Sequence, residues 1–230
     1  MTSLHTNPSH YPTMRGNLLL RSLTAQDAQF LSPYLTRVHF TPGDVVAAPD
    51  KHSTAAYFPE TAILCFREAL SSPSRPVVGL VGQEGMIGWS LLMGCPPSLI
   101  ASVDMHGGSA LAIPADKLIE ACRHSASLNV ALLRFAHNFI AQMACTIAST
   151  AFDTIERRVA RWLLMVHDRT EGDSMELTHD HIGGALHVRR ASVTDCLHML
   201  EGELILRCTR GRVLVRDRAR LEAIAGTSYG

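Results

Sequence analysis

Residues 177–215 constrain the fold more than any other stretch, because they hold a complete succession of two short helices and a hairpin. Thr178 puts a hydroxyl where the free N–H groups of a helix start need an acceptor. Residues 179–186 follow, with Ile182, Ala185 and Leu186 at helical spacing. After a break at His187-Val188, residues 189–202 form a second periodic run. Val193, Leu197 and Leu200 lie on its inward side, and Arg190, Ser192, Thr194 and Asp195 on the other. Two β-prone segments, 204–208 and 212–215, then flank the turn Thr209-Arg210-Gly211. A tight helix pair whose second member carries arginine and hydroxyl groups near its start suits a DNA major groove, and the basic hairpin completes a winged helix. The expected DNA contacts are Thr178, Arg189, Arg190, Ser192 and Thr194, with Arg210 and Arg212 on the hairpin. The plainer alternative is a small helical domain with a surface hairpin.

Charge placement favours the DNA reading. The chain has 21 basic and 21 acidic residues, so it is not basic throughout. Between Arg189 and Arg220, however, eight arginines meet only four acids. Local excess on a neutral protein fits short, site-specific contact better than general phosphate coating. A length of 230 residues with 47% hydrophobic content allows two domains. The six cysteines are far apart and contain no C-x-x-C pair, which implies reduced thiols and gives no pattern for a disulfide framework or an iron–sulfur cluster. The sequence opens without a basic-then-apolar leader and shows no unbroken apolar run of bilayer length, so a cytoplasmic protein with no membrane partner is expected.

The rest of the chain divides by texture. Residues 1–14, rich in Ser, Thr, Pro, His and Asn, read as a disordered tail. Residues 24–35 read as an amphipathic helix with Phe30, Leu31, Tyr34 and Leu35 apolar. Short β-prone runs follow at 45–48, 55–58, 62–67, 77–81, 101–105 and 109–113, separated by Gly and Pro turn signals. Such spacing predicts a compact antiparallel roll over residues 15–126, with a helix opening after Pro114. Ser127 is expected to cap a long helix reaching towards Ala151, so that 127–152 form a helix and hinge. Leu133, Ala136, Ile140, Met143 and Ile147 keep heptad-like spacing, beside a second row of Leu128, Leu132, Phe135 and Phe139. Two stripes imply two packing surfaces, one for the roll and one for a second copy of the helix in a homodimer; burial on both sides within one chain is the alternative. Asp153 is the expected cap of a further helix, 154–167, that opens the C-terminal domain, 153–230. The fold class is α+β.

This order of parts resembles the Crp/Fnr family of bacterial transcription regulators. The likeness is carried by Glu156-Arg157-Arg158-Val159-Ala160-Arg161-Trp162-Leu163-Leu164, by Val188-Arg189-Arg190-Ala191-Ser192-Val193-Thr194 and by Met199-Leu200-Glu201. It is strong over residues 150–222 and mainly architectural over 15–126. The resemblance implies a cyclic-nucleotide-binding-like β-roll, a dimerisation helix and a winged helix-turn-helix. It further implies a homodimer on a palindromic double-stranded DNA operator, RNA polymerase as a partner, and no enzymatic activity. Arg190 matches the family's arginine that reads a base or holds a phosphate, whereas Ala191 and Asp195 stand where glutamate and arginine are frequent, so the operator should differ. His187 stands where glycine is frequent. Members that bind cyclic nucleotides use a Gly-Glu pair for the ribose and a downstream arginine for the phosphate. Trp89 and Leu99 occupy those positions here, which reads as loss of the nucleotide site, and no cofactor is assigned.

Other chemistries have weaker support. His179-Asp180-His181 with His187 suggests a metal, yet residues two apart on a helix do not face each other. His39, His106 and His137 show no haem-ligand spacing, there is no Gly-x-Ser-x-Gly elbow, and residues 82–88 lack the lysine of a phosphate loop. The competing class of function is a small-molecule-binding β-roll whose helical domain makes protein contacts.

Overall fold

The computed structural model describes residues 14–49, 53–69, 75–105 and 107–229. The expected tail over 1–14 lies outside the described residues except for Met14, as does His106.

Two short helices, α1 (Leu18–Arg21) and α2 (Ala25–Leu31), precede the sheet region. α2 is shorter than its apolar spacing predicts, because the chain tightens to a 3-10 turn at Ser32–Tyr34 around Pro33, which lacks the N–H to continue a helix. Strand β1 (Thr36–Phe40), which lies outside the β-prone runs of the sequence, then pairs antiparallel with β7 (Gly108–Pro114). β7 also pairs with β3 (Ala55–Pro59), so one sheet runs β1-β7-β3. The second sheet runs β2-β6-β4-β5, from Val45–Ala47, Leu99–Ser102, Leu64–Glu68 and Gly79–Val81. Central β7 is buried through Ala110, Leu111, Ala112 and Ile113, and it faces Phe58 and Ala56 across the ladder. This is the antiparallel roll that the turn spacing predicts.

Helix α3 (Ala115–His124) follows Pro114, and α4 (Ala126–Phe152) runs for 27 residues. The cap of α4 is Ser125 and not Ser127: Ser125 Oγ accepts from the Leu128 N–H. Ser127 instead donates to Asp27, which also takes hydroxyl hydrogen bonds from Ser125 and Thr24. Burial works to raise the Asp27 carboxyl, but those three donors outweigh it and hold the group below its usual range. One carboxylate thus ties the starts of α2 and α4 together.

Leu128, Leu132, Phe135 and Phe139 form the inward row of α4. Phe135 lies so close to Gly85 that a Cβ there would stand 2.1 Å from its ring, and Phe139 crowds Gly79 at 2.7 Å in the same sense. The glycines of this region therefore seat aromatic rings. By length and composition α4 is also apolar enough to cross a membrane, contrary to the sequence expectation, which counted only unbroken runs and stopped at Arg134 and His137. In this fold its apolar residues divide between the row packed on the roll and an outward row.

Helix α5 (Ile155–His167) is capped by Thr154, whose hydroxyl accepts from Arg157 N–H. Asp153, the expected cap, ends α4 instead and accepts a hydrogen bond from the Ser228 hydroxyl. α5 is the spine of a second core, burying Val159, Trp162, Leu163 and Val166 against α6 (His179–Leu186), α7 (Arg190–Gly202) and α8 (Arg218–Ala225). A small sheet runs β8-β10-β9, from Ser174–Met175, Arg212–Val215 and Leu206–Thr209. Ile63, Cys65, Val77 and Leu80 of the roll join this second core, and Val77 N–H donates to the Ala185 carbonyl of α6 at 2.8 Å.

Replacing Gly85 by alanine drives a methyl into Phe135. The expected loss is about 1–3 kcal/mol in chemical denaturation, and a variant as stable as the parent would show that the ring is not seated there.

Candidate nucleic-acid interface

The helix-turn-helix forms as the sequence pattern predicts, with its inward positions Ile182, Ala185, Val193, Leu197 and Leu200 buried. Thr178 caps α6 by accepting from His181 N–H, and the His181 ring reaches back to the Thr178 N–H to close a capping box. His187 takes the left-handed conformation at the turn, φ 52°, where the absence of glycine leaves a side chain in a region that disfavours it.

Arg189 is the N-cap residue of α7 and is exposed; it makes no ion pair among the described residues. Arg190 is exposed in the first turn, with one guanidinium nitrogen 2.7 Å from Asp180. Ser192 is half-buried beside it. Thr194, a candidate for base or phosphate hydrogen bonds, is half-buried and engaged within the domain. Its hydroxyl donates to the Arg190 carbonyl and lies 2.8 Å from His179 Nδ1, so it links α7 to α6. Position 194 falls one turn after 190, where a β-branched hydroxyl can bond back to the i−4 carbonyl. Two side chains outside the expected contact set share the outer face: Asp195 and His198 are both exposed. Asp195 lies on the outward side of the pattern, and the signal for His198 was its place eight residues after Arg190, two turns along the same face.

On the hairpin, Gly211 takes φ 75° at the tip. Arg210 is exposed there, and Arg212 is exposed with Glu176 at 3.1 Å. The local arginine excess therefore sorts into two kinds. Arg190, Arg212, Arg218 and Arg220 have acidic partners. Arg189, Arg207, Arg210 and Arg216 are exposed and have none among the described residues. The start of α7 adds its own partial positive charge and free N–H groups.

The histidine pair turns apart, His179 to Thr194 and His181 to the cap of its own helix. Among the described residues no three His, Cys, Asp or Glu side chains converge. In the roll, the space lined by Phe66, Ile87, Trp89, Ser90, Pro97 and Leu99 is about 20 Å³, far below the roughly 300 Å³ at which small-ligand pockets begin. Trp89 leans on Phe139 of α4, with ring centroids 6.2 Å apart.

The expected dimer residues separate by phase. Leu133, Ile140 and Ile147 are exposed, Ile147 at 64%. Met143 is half-buried, and Ala136 is turned into the roll at 2%. The outward heptad row is instead Val130, Leu133, His137, Ile140, Ala144, Ile147 and Ala151, with alternating steps of three and four. Of the five expected residues, Leu133, Ile140 and Ile147 lie on this outward row, whereas Ala136 and Met143 lie on the neighbouring face.

Residues 157–224 match a family profile described as the Crp-like helix-turn-helix domain. That match lies within the C-terminal domain. The whole chain has the Crp/Fnr fold, shared with FixK2 from Bradyrhizobium japonicum at 19% identity and TM-score 0.73, covering 84% of this chain and 98% of that one. A structure described as a transcriptional regulator of the CRP family from Thermus thermophilus matches at 20% identity and TM-score 0.66, covering 84% and 98%. A Crp/Fnr-family structure from Eubacterium rectale matches at 17% identity and TM-score 0.66, covering 92% and 99%. No curated protein matches the chain by sequence.

The bridge between α6 and α7 gives a direct test. Thr194→Val removes the hydroxyl shared by His179 and the Arg190 carbonyl, and should cost about 1 kcal/mol in urea denaturation. Unchanged stability would return Thr194 to the set of free surface donors.

Proposed function

We propose that this protein is a sequence-specific transcription regulator that binds DNA as a homodimer. The observation that carries the reading is the outer face of α7, where Arg190 and Ser192 stand at a helix start flanked by unpaired arginines of the same domain. Arg190 is the base reader: a planar guanidinium can hold guanine O6 and N7 together. Its ion pair with Asp180 is exposed at both ends, so releasing it costs little. Arg189 and the hairpin residues Arg210 and Arg212 hold phosphates, and Thr178 and Ser192 supply hydroxyl contacts.

The outward row of α4 is the dimer seam. A two-fold axis along it places one α7 per half-site, with half-sites about one helical turn, roughly 34 Å, apart. The roll has no nucleotide role, since Trp89 and Leu99 replace the polar groups such a ligand needs and the remaining space is about 20 Å³. RNA polymerase as the downstream partner, and the cytoplasm as the place of action, follow from the resemblance to the Crp/Fnr family. A gel shift on genomic fragments separates this reading from a roll whose helical domain contacts only proteins.

Arg190→Ala should weaken the specific site by about 1–3 kcal/mol and relax preference at one base pair per half-site in a selection experiment. Arg210→Ala should weaken all sequences alike and flatten the salt dependence. An Arg190→Ala protein with unchanged affinity and motif would remove α7 as the reader.

A separate variant addresses the seam. Ile140→Asp puts a charge at its centre and should give monomers by light scattering, with loss of binding to palindromic DNA. A parent protein that is already monomeric at micromolar concentration would overturn the dimer.

A further inference from the structure

Two cavities lie along α4, of about 390 and 420 Å³, the first also lined by Leu80 and Glu84 of the roll. They share Asn138, Gln142 and Arg169, so they run into one another as a groove between α4, α5 and the chain's last residues. Each is within the size range of small-ligand pockets.

Arg161 lines this groove and is only 7% exposed. Its Nε donates to the Ser228 carbonyl at 2.7 Å, and one terminal nitrogen makes a long contact of 3.5 Å with the Gln142 carbonyl. Its other terminal nitrogen, Nη1, has no hydrogen-bond partner among the described residues, and no carboxylate pairs with it. Burial pushes the guanidinium below its ordinary range, as desolvation of an unpaired cation should. A buried charge is costly until an opposite charge with matching hydrogen bonds reaches it.

The surrounding groups complement an anion. Asn138 on α4 has no hydrogen-bond partner among the described residues. Gln142 spends its Oε1 on the Leu80 N–H and keeps its amide donors. Both carboxylates on the groove are already engaged. Asp168 takes Arg218 and the Tyr229 hydroxyl, and Glu84 takes Arg169. The groove thus offers two unused amide donor groups beside the free nitrogen of one buried cation.

We infer that this groove is a binding site for a small organic anion, a carboxylate or a phosphate ester, with Arg161 as its charge partner and Asn138 and Gln142 as hydrogen-bond donors. A planar guanidinium edge pairs an oxyanion through two parallel hydrogen bonds. The site borders the roll at Leu80 and Glu84 and lies beside the hinge. Ser228, which holds Arg161 through its carbonyl, also donates its hydroxyl to Asp153 at the end of α4. An anion bridging α4 and α5 would fix the angle between them and so the placement of α7. This regulatory consequence rests on the DNA reading above, whereas the binding site does not.

The test uses the full-length protein in calorimetry and thermal unfolding, with succinate, glycerol phosphate and inorganic phosphate as probes. Chloride at matched ionic strength is the control. At least one probe should bind saturably and raise the unfolding midpoint where chloride does not, and the arm that binds tighter names the ligand class. Arg161→Gln should abolish this. Should that variant fail to fold, Asn138→Asp decides, because it adds a repelling carboxylate at an exposed position and should weaken binding at least tenfold. No saturable binding by any probe, or equal binding in the Asn138→Asp and parent proteins, overturns the site. Gel shifts of the ligand-free protein report on the DNA reading independently.

Discussion

The seating of Phe135 and Phe139 in the glycine-lined edge of the roll sets the rotational phase of α4, and the rest of the molecule follows from that phase. With those rings at Gly85 and Gly79, the row Leu128, Leu132, Phe135 and Phe139 must face inward. A helix turns 100° per residue, so the row from Val130 to Ala151 is then forced outward. Gln142 is carried to the roll, where it caps the Leu80 N–H, and its carbonyl meets Arg161 of the next helix. One packing contact thereby fixes the apolar seam, the link to the roll and the start of the hinge.

That arrangement also explains why the two domains are not independent. Arg169 at the end of α5 is tied to Glu84 of the roll, and Val77 N–H reaches the Ala185 carbonyl of the first helix of the DNA-binding pair. The side chains of Cys65, Val77 and Leu80 pack in the same cluster as Trp162 and Leu163. Any reorientation of the winged helix must therefore break apolar packing, one backbone hydrogen bond and a largely buried ion pair together. Such coupled contacts favour discrete arrangements over continuous swivelling.

Much of this was legible in the sequence wherever periodicity and caps agree. The second helix pair, its buried positions and the hairpin lie where apolar spacing put them, because this domain is built from local signals. Cap residues were harder. Ser125 and Ser127 are equally good hydroxyl acceptors, and both also donate to Asp27, about a hundred residues away, so the local pattern does not say that Ser125 caps α4. Asp153 and Thr154 pose the same problem, settled by Ser228 from the chain's far end. The outward row of α4 was half legible. Ala136 and Met143 fit a heptad as well as His137 and Ala144 do, and a periodic pattern alone does not say which side the roll occupies. The engaged hydroxyl of Thr194 was hidden for the same reason, since its partner His179 lies on another helix.

Substitutions in the roll bear on what the molecule can still sense. Trp89 fills the space beside Leu99 with an aromatic surface that reaches α4 through Phe139. Rigid packing there removes a cavity but keeps the mechanical connection, because Phe139 also stacks on Phe135 at 6.2 Å and meets Phe66 at 4.7 Å. At the hinge end of α4, the Nη1 of the buried Arg161 is left without a hydrogen-bond partner among the described residues. Polar groups short of partners are where added contacts gain most, since each new hydrogen bond there replaces no existing one.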